Sequence, residues 1–266
     1  MARLAILAGG GALPGRIAAA QPGALFVTFG VAAEVPDGAQ HFAASHERFG
    51  ELFDGLRAAQ VTEVVLAGGL VRPALNPANF DDRMRDLAPG FLAAMQGGDD
   101  RLLRAVIAAF EAEGFAVRGA HDLVPDLTAG AGLLAGPDPS DADRADMTRA
   151  GAILAALGPL DVGQGAVVAR GQCLGVETAQ GTDAMLAWVA GSRGGLPEGG
   201  VLLKAPKPGQ DLRVDMPAIG PDTVDGAARA GLNGIAIAAG RVLILDRAAV
   251  LAAADAAGLF LIALDP

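Results

Sequence analysis

Short apolar runs that end in glycine recur in this chain, and they constrain its fold more than any other feature. The run from Leu4 to Leu7 leads into Ala8 to Gly11, and the run from Glu63 to Ala67 leads into Gly68 and Gly69. Repeated units of strand, glycine loop and helix predict an α/β fold with a parallel sheet. We expect the strand ends to share one edge, where folds of this class bind their ligands.

Periodicity and capping residues predict the other elements. The predicted helices are 13 onward, 47–59, 100–113, 140–157, 183 onward, 222–230 and 247–257. The predicted strands are 24–29, 115–117, 166–169, 174–176, 234–238, 241–245 and 259–264. Pro, Gly, Ser and Asp dominate from Val124 to Asp146, which predicts a domain boundary there. We divide the chain into an N-terminal domain, 1–133, and a C-terminal α/β domain, 134–266.

Composition excludes several classes of protein. With 20 Lys and Arg against 30 Asp and Glu the net charge is −10, and aromatic residues make up 4%. Both values argue against a nucleic-acid partner, and they predict a core of Ala, Val, Leu and Ile. The single cysteine, Cys173, fits a reducing compartment, and we expect it to be buried in a β-hairpin. No apolar run approaches the roughly 20 residues of a membrane span, so we expect a soluble, cytoplasmic protein.

The residue patterns typical of zinc hydrolases and serine hydrolases are absent from this sequence. His41, His46 and His121 do not have zinc-binding spacing, and Ser45 and Ser192 do not lie in a nucleophile elbow. Carboxylates with few histidines suit a hard ion such as Mg²⁺, which one or two carboxylates hold together with substrate oxygens.

A charged loop lies between Val201 and Gly220. Lys204 and Lys207 precede Asp211, Arg213 and Asp215 in a segment that three prolines stiffen. Cations and carboxylates on a loop fed by a buried strand favour the handling of a charged phosphate ester. A solvated loop with ordinary surface charges is the alternative.

Two further clusters have open interpretations. Gly9 to Gly11 can place backbone N–H groups against a phosphate, although a structural turn or a nicotinamide site is also consistent with them. Arg72 would lie at the edge of the sheet where the strands end, and it could bind a phosphate or carboxylate there. The alternative is an ordinary exposed loop arginine. Thr182 and Asp183 either cap a helix or contribute to the site.

Six segments resemble one enzyme family, the Mg²⁺-dependent UDP-2,3-diacylglucosamine pyrophosphatases of lipid A biosynthesis (LpxI type), which are unrelated to the metallophosphoesterases. The resemblance covers nearly the whole chain, and its C-terminal motifs are the specific ones. The segments are LAILAGGGALPG, VVLAGGLVRP, GDDRLLRAVIAAFEAEGF, LDVGQGAVVARGQCLGVETAQGTDAML, LLKAPKPGQDLRVDMPAIG and AGLNGIAI.

The resemblance implies hydrolysis of UDP-2,3-diacylglucosamine to UMP and 2,3-diacylglucosamine 1-phosphate, with water attacking the α-phosphorus. It implies a Rossmann-like N-terminal domain, a C-terminal α/β domain and a homodimer. It also implies a catalytic aspartate in the R-V-D-x-P motif, which is Asp215 here. Gly209 departs from the bulkier residues common at its position, which leaves the charges of the motif unchanged.

We therefore predict the following site. The catalytic residues are Asp215 and Lys204, and the Mg²⁺ ligands are Asp215, Asp183 and Glu177. The substrate-binding residues are Gly9, Gly10, Gly11, Arg72, Gln164, Thr182, Lys207 and Arg213. The predicted partner is the UDP-linked diacylglucosamine lipid, with peripheral contact at the inner face of the inner membrane. A nucleotide-binding oxidoreductase and a non-catalytic lipid-binding protein are the alternatives.

Overall fold

The computed structural model describes residues 3–30, 33–69, 74–96 and 99–265, and the chain divides into two compact units. The first unit consists of Met1–Pro125 with the short segment Asp211–Asp215. The second consists of Asp126–Gln210 with Met216–Pro266. The break at Pro125 lies earlier in the chain than the predicted division after residue 133.

The first unit is built around a parallel sheet, as predicted. Its elements are β1 (Leu4–Ala8), α1 (Leu13–Ala20), β2 (Leu25–Phe29), β3 (His41–Ala44), α2 (Phe49–Ala58), β4 (Glu63–Ala67), α3 (Asp82–Met95), α4 (Asp99–Ala112), β5 (Ala116–Arg118) and α5 (Ala120–Leu123). In the described residues the strand order is β3-β2-β1-β4-β5, with every neighbouring pair parallel. The order reverses between β1 and β4, which brings their two glycine turns side by side.

The strands and helices of this unit enclose an aromatic core. Every residue of β1 is buried, as is typical of the middle of a parallel sheet covered on both faces. Phenylalanines from the helices and from the position just before β5 meet edge to face or stacked. These are Phe49, Phe53, Phe91, Phe110 and Phe115. The expectation of a purely aliphatic core is therefore wrong for this unit, because the few aromatic residues are concentrated in it.

The second unit has a mixed sheet. Its elements are β6 (Gly132–Ala135), α6 (Asp141–Leu157), β7 (Gly165–Ala169), β8 (Gln172–Val176), α7 (Gly181–Gly191), β9 (Val201–Lys204), β10 (Ala218–Ile219), α8 (Pro221–Arg229), β11 (Gly234–Ala238), β12 (Leu243–Ile244), α9 (Arg247–Ala257) and β13 (Phe260–Leu264). Among the described residues the order is β6-β13-β11-β9-β7-β8, with β13, β11 and β9 parallel and the other pairs antiparallel. Strands β10 and β12 form a separate parallel pair.

The predicted hairpin of β7 and β8 is confirmed. Arg170 and Gly171 form its loop with φ of 48° and 77°, and positive φ at both positions is typical of a two-residue turn. The carboxylate of Asp146 on α6 accepts both loop N–H groups, at 2.9 and 2.7 Å. The prediction that Cys173 is buried is wrong, because β8 is an edge strand and the thiol is exposed.

Helix α6 begins at a capping box, as predicted from Ser140. The Ser140 hydroxyl accepts the Asp143 N–H, and the Asp143 carboxylate accepts the Ser140 N–H. Asp143 is buried and also accepts a 2.7 Å hydrogen bond from the side-chain amide of Asn233. Burial alone would raise the pKa of Asp143, but the hydrogen bonds from Asn233 and Ser140 outweigh it and hold that pKa below its usual value. Across the described ranges, no helix is both long enough and apolar enough to cross a membrane.

Candidate active site

The centre of the candidate site is a buried cation at the end of a central strand. Lys204 is the last residue of β9 and is 5% exposed. Its ammonium group donates to the hydroxyl of Thr182 at 2.7 Å and to the carbonyl of Ala218 at 3.1 Å. A buried ammonium group needs such acceptors, since desolvation without them is strongly unfavourable.

Glu177 provides the opposite charge. It follows β8 directly, and its Oε2 atom lies 3.6 Å from Nζ of Lys204. This oxygen is buried and has no hydrogen-bond partner within the part of the chain that the structure describes. An unsatisfied carboxylate oxygen in a largely buried side chain marks a position where a ligand group, a water or an ion can bind.

The glycines of the GQG motif make room for Glu177. A Cβ atom on Gly165 would lie 2.6 Å from Oε2, and one on Gly163 would lie 2.2 Å from the Glu177 carbonyl oxygen. The backbone oxygen of Gln164 between them accepts the N–H of Ala205 at 2.9 Å. The motif therefore places the carboxylate and the start of the charged loop next to one strand.

Thr182 and Asp183 lie in the first turn of α7. The N-cap is Gln180, which makes no side-chain capping bond, while the Thr182 hydroxyl accepts from Lys204. Capping thus does not explain Thr182, whose hydroxyl is directed at the buried lysine. Asp183 is exposed.

Lys207 is held in the loop after β9. Its ammonium group pairs with the carboxylate of Asp161, and its backbone N–H donates to the side-chain oxygen of Gln210 at 2.8 Å. The Gln210 N–H returns a 3.2 Å bond to the Lys207 carbonyl. These bonds close the loop and fix the backbone of Lys207 three residues after Lys204.

Asp215 lies in the first unit, unlike Lys204, Glu177 and Asp183. It is half-buried, and its N–H donates to the carbonyl of Asp211 at 3.2 Å. Arg213 in the same segment forms a two-pronged ion pair with the Asp211 carboxylate. Hydrogen bonds from Arg213 hold the pKa of Asp211 below its usual value, and the same bonds raise the pKa of Arg213.

The predicted glycine loop makes a close backbone contact. Gly10 and Gly69 exchange two hydrogen bonds of 2.8 and 2.9 Å, which tie the turn after β1 to the turn after β4. A Cβ atom on Gly9 would lie 2.5 Å from the Gly69 carbonyl oxygen. Gly11 has φ of 91°, in the region that favours glycine. Arg72 lies outside the described residues.

The predicted magnesium ligands do not form a ready-made cage. Among the residues that the structure describes, no group of three or more His, Cys, Asp or Glu side chains is placed to hold a metal ion. Mg²⁺ commonly binds through one or two carboxylates and the phosphates of a substrate. The orphaned oxygen of Glu177 is the donor that best fits such an ion.

Sequence reasoning missed two acidic partners of the predicted site residues, one in each unit. Asp161 pairs with Lys207 from 46 positions away, and Glu111 accepts from Arg213 at 2.8 Å from 102 positions away. Both are ordinary acidic residues in sequence, so only the fold brings them to their partners.

Comparisons with known proteins cover both units. Residues 3–127 match the model of the LpxI N-terminal domain, and residues 130–262 match that of the LpxI C-terminal domain. A curated relative from Caulobacter vibrioides, "UDP-2,3-diacylglucosamine pyrophosphatase LpxI", is 41% identical over 280 aligned residues, which cover 100% of this chain and 99% of the relative. The resemblance predicted from the motifs is confirmed, and this chain belongs to the LpxI family.

Proposed function

We propose that this protein is a hydrolase of lipid A biosynthesis that cleaves the diphosphate of UDP-2,3-diacylglucosamine. The full-length similarity to a relative named for that activity supports the substrate. The observation that carries the chemistry is the buried ammonium group of Lys204 beside the orphaned oxygen of Glu177. A fixed cation in a water-poor setting can stabilise the charge that develops on a phosphate oxygen during hydrolysis.

In this proposal water attacks the α-phosphorus. The new bond joins the water oxygen to that phosphorus, and the bond to the bridging oxygen breaks. The products are UMP and 2,3-diacylglucosamine 1-phosphate. Asp215 orients the water and accepts its proton. Lys204 is already oriented by Thr182 and Ala218, so it can neutralise diphosphate charge without rearranging.

Mg²⁺ is the proposed cofactor, with Asp215, Asp183 and Glu177 as its candidate ligands. When bound it would offset the charge of the diphosphate, which a protein with a net charge of −10 does not do by itself. Lys207, Gln164 and the Gly9 to Gly11 loop are proposed to contact the substrate. The protein is proposed to act as a cytoplasmic homodimer with peripheral contact at the inner face of the inner membrane.

The decisive experiment measures UMP release from UDP-2,3-diacylglucosamine with Mg²⁺ and with EDTA. We expect turnover with Mg²⁺ and loss of it with EDTA. Asp215→Ala should stay folded, bind the substrate and lose turnover by roughly 10²-fold or more. In ¹⁸O-labelled water the label should appear in UMP, whereas label in the sugar phosphate would mean attack on the β-phosphorus.

The same assay tests the two alternatives. A non-catalytic lipid-binding protein would release no UMP under any metal condition. A nucleotide-binding oxidoreductase would bind a nicotinamide cofactor at micromolar concentration and would leave the diphosphate intact. Full activity in Asp215→Ala would remove the catalytic role of that residue.

A further inference from the structure

The segment Asp211–Asp215 belongs to the first unit although the residues on both sides of it belong to the second. Val214 packs against the aromatic core of the first unit. The segment is thus anchored by an apolar contact, which fixes its position but not the direction of the side chains next to Val214. An additional polar contact is needed to orient them.

Arg213 makes that contact with two carboxylates. Its Nη2 and Nε atoms donate to Asp211 at 2.7 and 3.0 Å, and its Nη1 atom donates to Glu111 of α4 at 2.8 Å. All three guanidinium nitrogens therefore have acidic partners. Because the guanidinium is already paired with carboxylates on all three nitrogens, it is a poor receptor for a diphosphate.

Asp211 connects Arg213 to Asp215. The carboxylate of Asp211 accepts the backbone N–H of Arg213 at 3.1 Å, and its carbonyl accepts the N–H groups of Val214 and Asp215 at 3.3 and 3.2 Å. These bonds close one turn of chain. An ion pair that fixes Asp211 therefore also fixes the backbone from which the Asp215 carboxylate extends.

We propose that Glu111, acting through Arg213 and Asp211, is a positioning residue for Asp215. This role rests on the proposed catalytic function of Asp215, and it differs from the substrate contact that the sequence predicts for Arg213. Small errors in the position of a catalytic group lower the rate strongly while leaving substrate affinity intact. Loss of Glu111 should therefore affect kcat and spare KM.

A double-mutant cycle on UMP release tests the proposal. Glu111→Ala and Arg213→Ala should each lower kcat about tenfold and change KM by less than about twofold. The double variant should lose no more kcat than Arg213→Ala alone, because Glu111 acts only through Arg213. Glu111→Gln keeps a hydrogen-bond acceptor and should recover part of kcat.

The control is the ion pair between Arg118 and Glu63, in the same unit. Its distance is 2.9 Å, and the Arg118 side chain is 37% exposed, as is that of Arg213. Glu63→Ala should leave kcat unchanged, and thermal melting of every variant should show a folded protein. If Glu63→Ala also lowers kcat about tenfold, breaking any ion pair of this unit has that effect, and the proposal is overturned.

Other outcomes also decide the matter. An increased KM in Arg213→Ala with a normal Glu111→Ala would make Arg213 a substrate contact and overturn the positioning role. Normal kcat in a folded Glu111→Ala, with Asp215→Ala inactive, would overturn the positioning role alone. Full activity in Asp215→Ala would overturn both this inference and the catalytic function on which it rests.

Discussion

The two units use the carboxyl ends of their strands differently. In the first unit the turns after β1 and β4 contain glycines and are joined backbone to backbone through Gly10 and Gly69. In the second unit the end of β9 carries a buried lysine, and the residue after β8 is the glutamate beside it. The strand ends of the first unit therefore present backbone surface without charged side chains. Those of the second unit present two charged side chains, Lys204 and Glu177.

This difference indicates a division of roles between these two sets of strand ends, and the proposed catalytic residue Asp215, in the first unit, lies outside both sets. Backbone contacts as close as that between Gly9 and Gly69 allow no side chain, so the first unit contributes surface shape there. The buried pair of Lys204 and Glu177 has reactive groups in fixed positions, which suits chemistry. The predictions below test this division.

The largest effect is expected at Lys204. Lys204→Met should lower turnover by roughly 10²-fold or more, because the fixed cation is lost. It should also lower the free energy of unfolding by about 3–5 kcal/mol, because the Glu177 carboxylate is left buried and uncompensated. Denaturant unfolding and UMP release on one preparation measure both.

The double variant Lys204→Met with Glu177→Gln separates the two effects. Removing both charges should recover most of the lost stability and none of the turnover. Recovery of turnover in the double variant would contradict a catalytic role of the lysine.

A smaller effect is expected in the glycine turns. Gly9→Ala should lower the free energy of unfolding by about 1–3 kcal/mol, since its Cβ atom would overlap the carbonyl of Gly69. Gly15, within α1, has open space at its Cβ position. Gly15→Ala is therefore the matched control and should raise stability by about 0.5–1 kcal/mol. A neutral Gly9→Ala would show that the two turns are not closely joined.

The hydrogen bonds that the Asp143 carboxylate accepts from Ser140 and Asn233 should make the stability of the second unit sensitive to low pH. Because the folded pKa of Asp143 is lowered, its ionised form contributes stability fully above the unfolded pKa of about 3.9. That contribution is lost as the pH falls through the folded pKa. Asp143→Asn should cost about 1 kcal/mol at pH 7, and its difference from the parent should shrink below about pH 4. Urea unfolding across the pH range measures this.

The control for that experiment is Asp54 of the first unit, whose side chain is 82% exposed in its pair with Arg57. Asp54→Asn should change stability at pH 7 by less than about 0.5 kcal/mol. A constant difference between Asp143→Asn and the parent from pH 7 to pH 2 would show that the charge of Asp143 is not responsible.

The smallest effect is expected at the outer edge of the second sheet. Cys173 is exposed on β8, so Cys173→Ser should change stability by less than about 0.5 kcal/mol. In the parent a thiol reagent should label this cysteine in the native state at the rate of an accessible thiol. Labelling that requires denaturant would place the thiol inside.

The sequence predicts most of the strands and helices, because their signals are local. The capped helix from Ser140 and the hairpin around Gly171 depend on residues within a few positions. The sequence does not predict helix α3, since Pro89 lies inside it and proline normally ends a helix. The sequence does not predict strand β6 either, because it lies in the Pro- and Gly-rich stretch that predicts a domain boundary.

The sequence predicts those residues of the candidate site that belong to a local motif. Lys204 and Asp215 stand out within their own motifs. The carbonyl of Ala218 and the carboxylate of Glu111 become visible only when distant segments meet. The Ala218 group is a backbone carbonyl, which any residue has, and Glu111 is one acidic residue among many. No local sequence pattern distinguishes either of them.

The segment Asp211–Asp215 also bears on how the protein is synthesised. A ribosome completes Met1–Pro125 well before it reaches Arg213, so the first unit emerges without the residues that finish it. Until Arg213 and Val214 are made, Glu111 lacks the guanidinium that donates to it, and the aromatic core lacks the valine that packs against it. The final folding step of the first unit therefore waits for residues that are encoded far downstream, and a ribosome stalled before Arg213 would carry a first unit that is not yet complete.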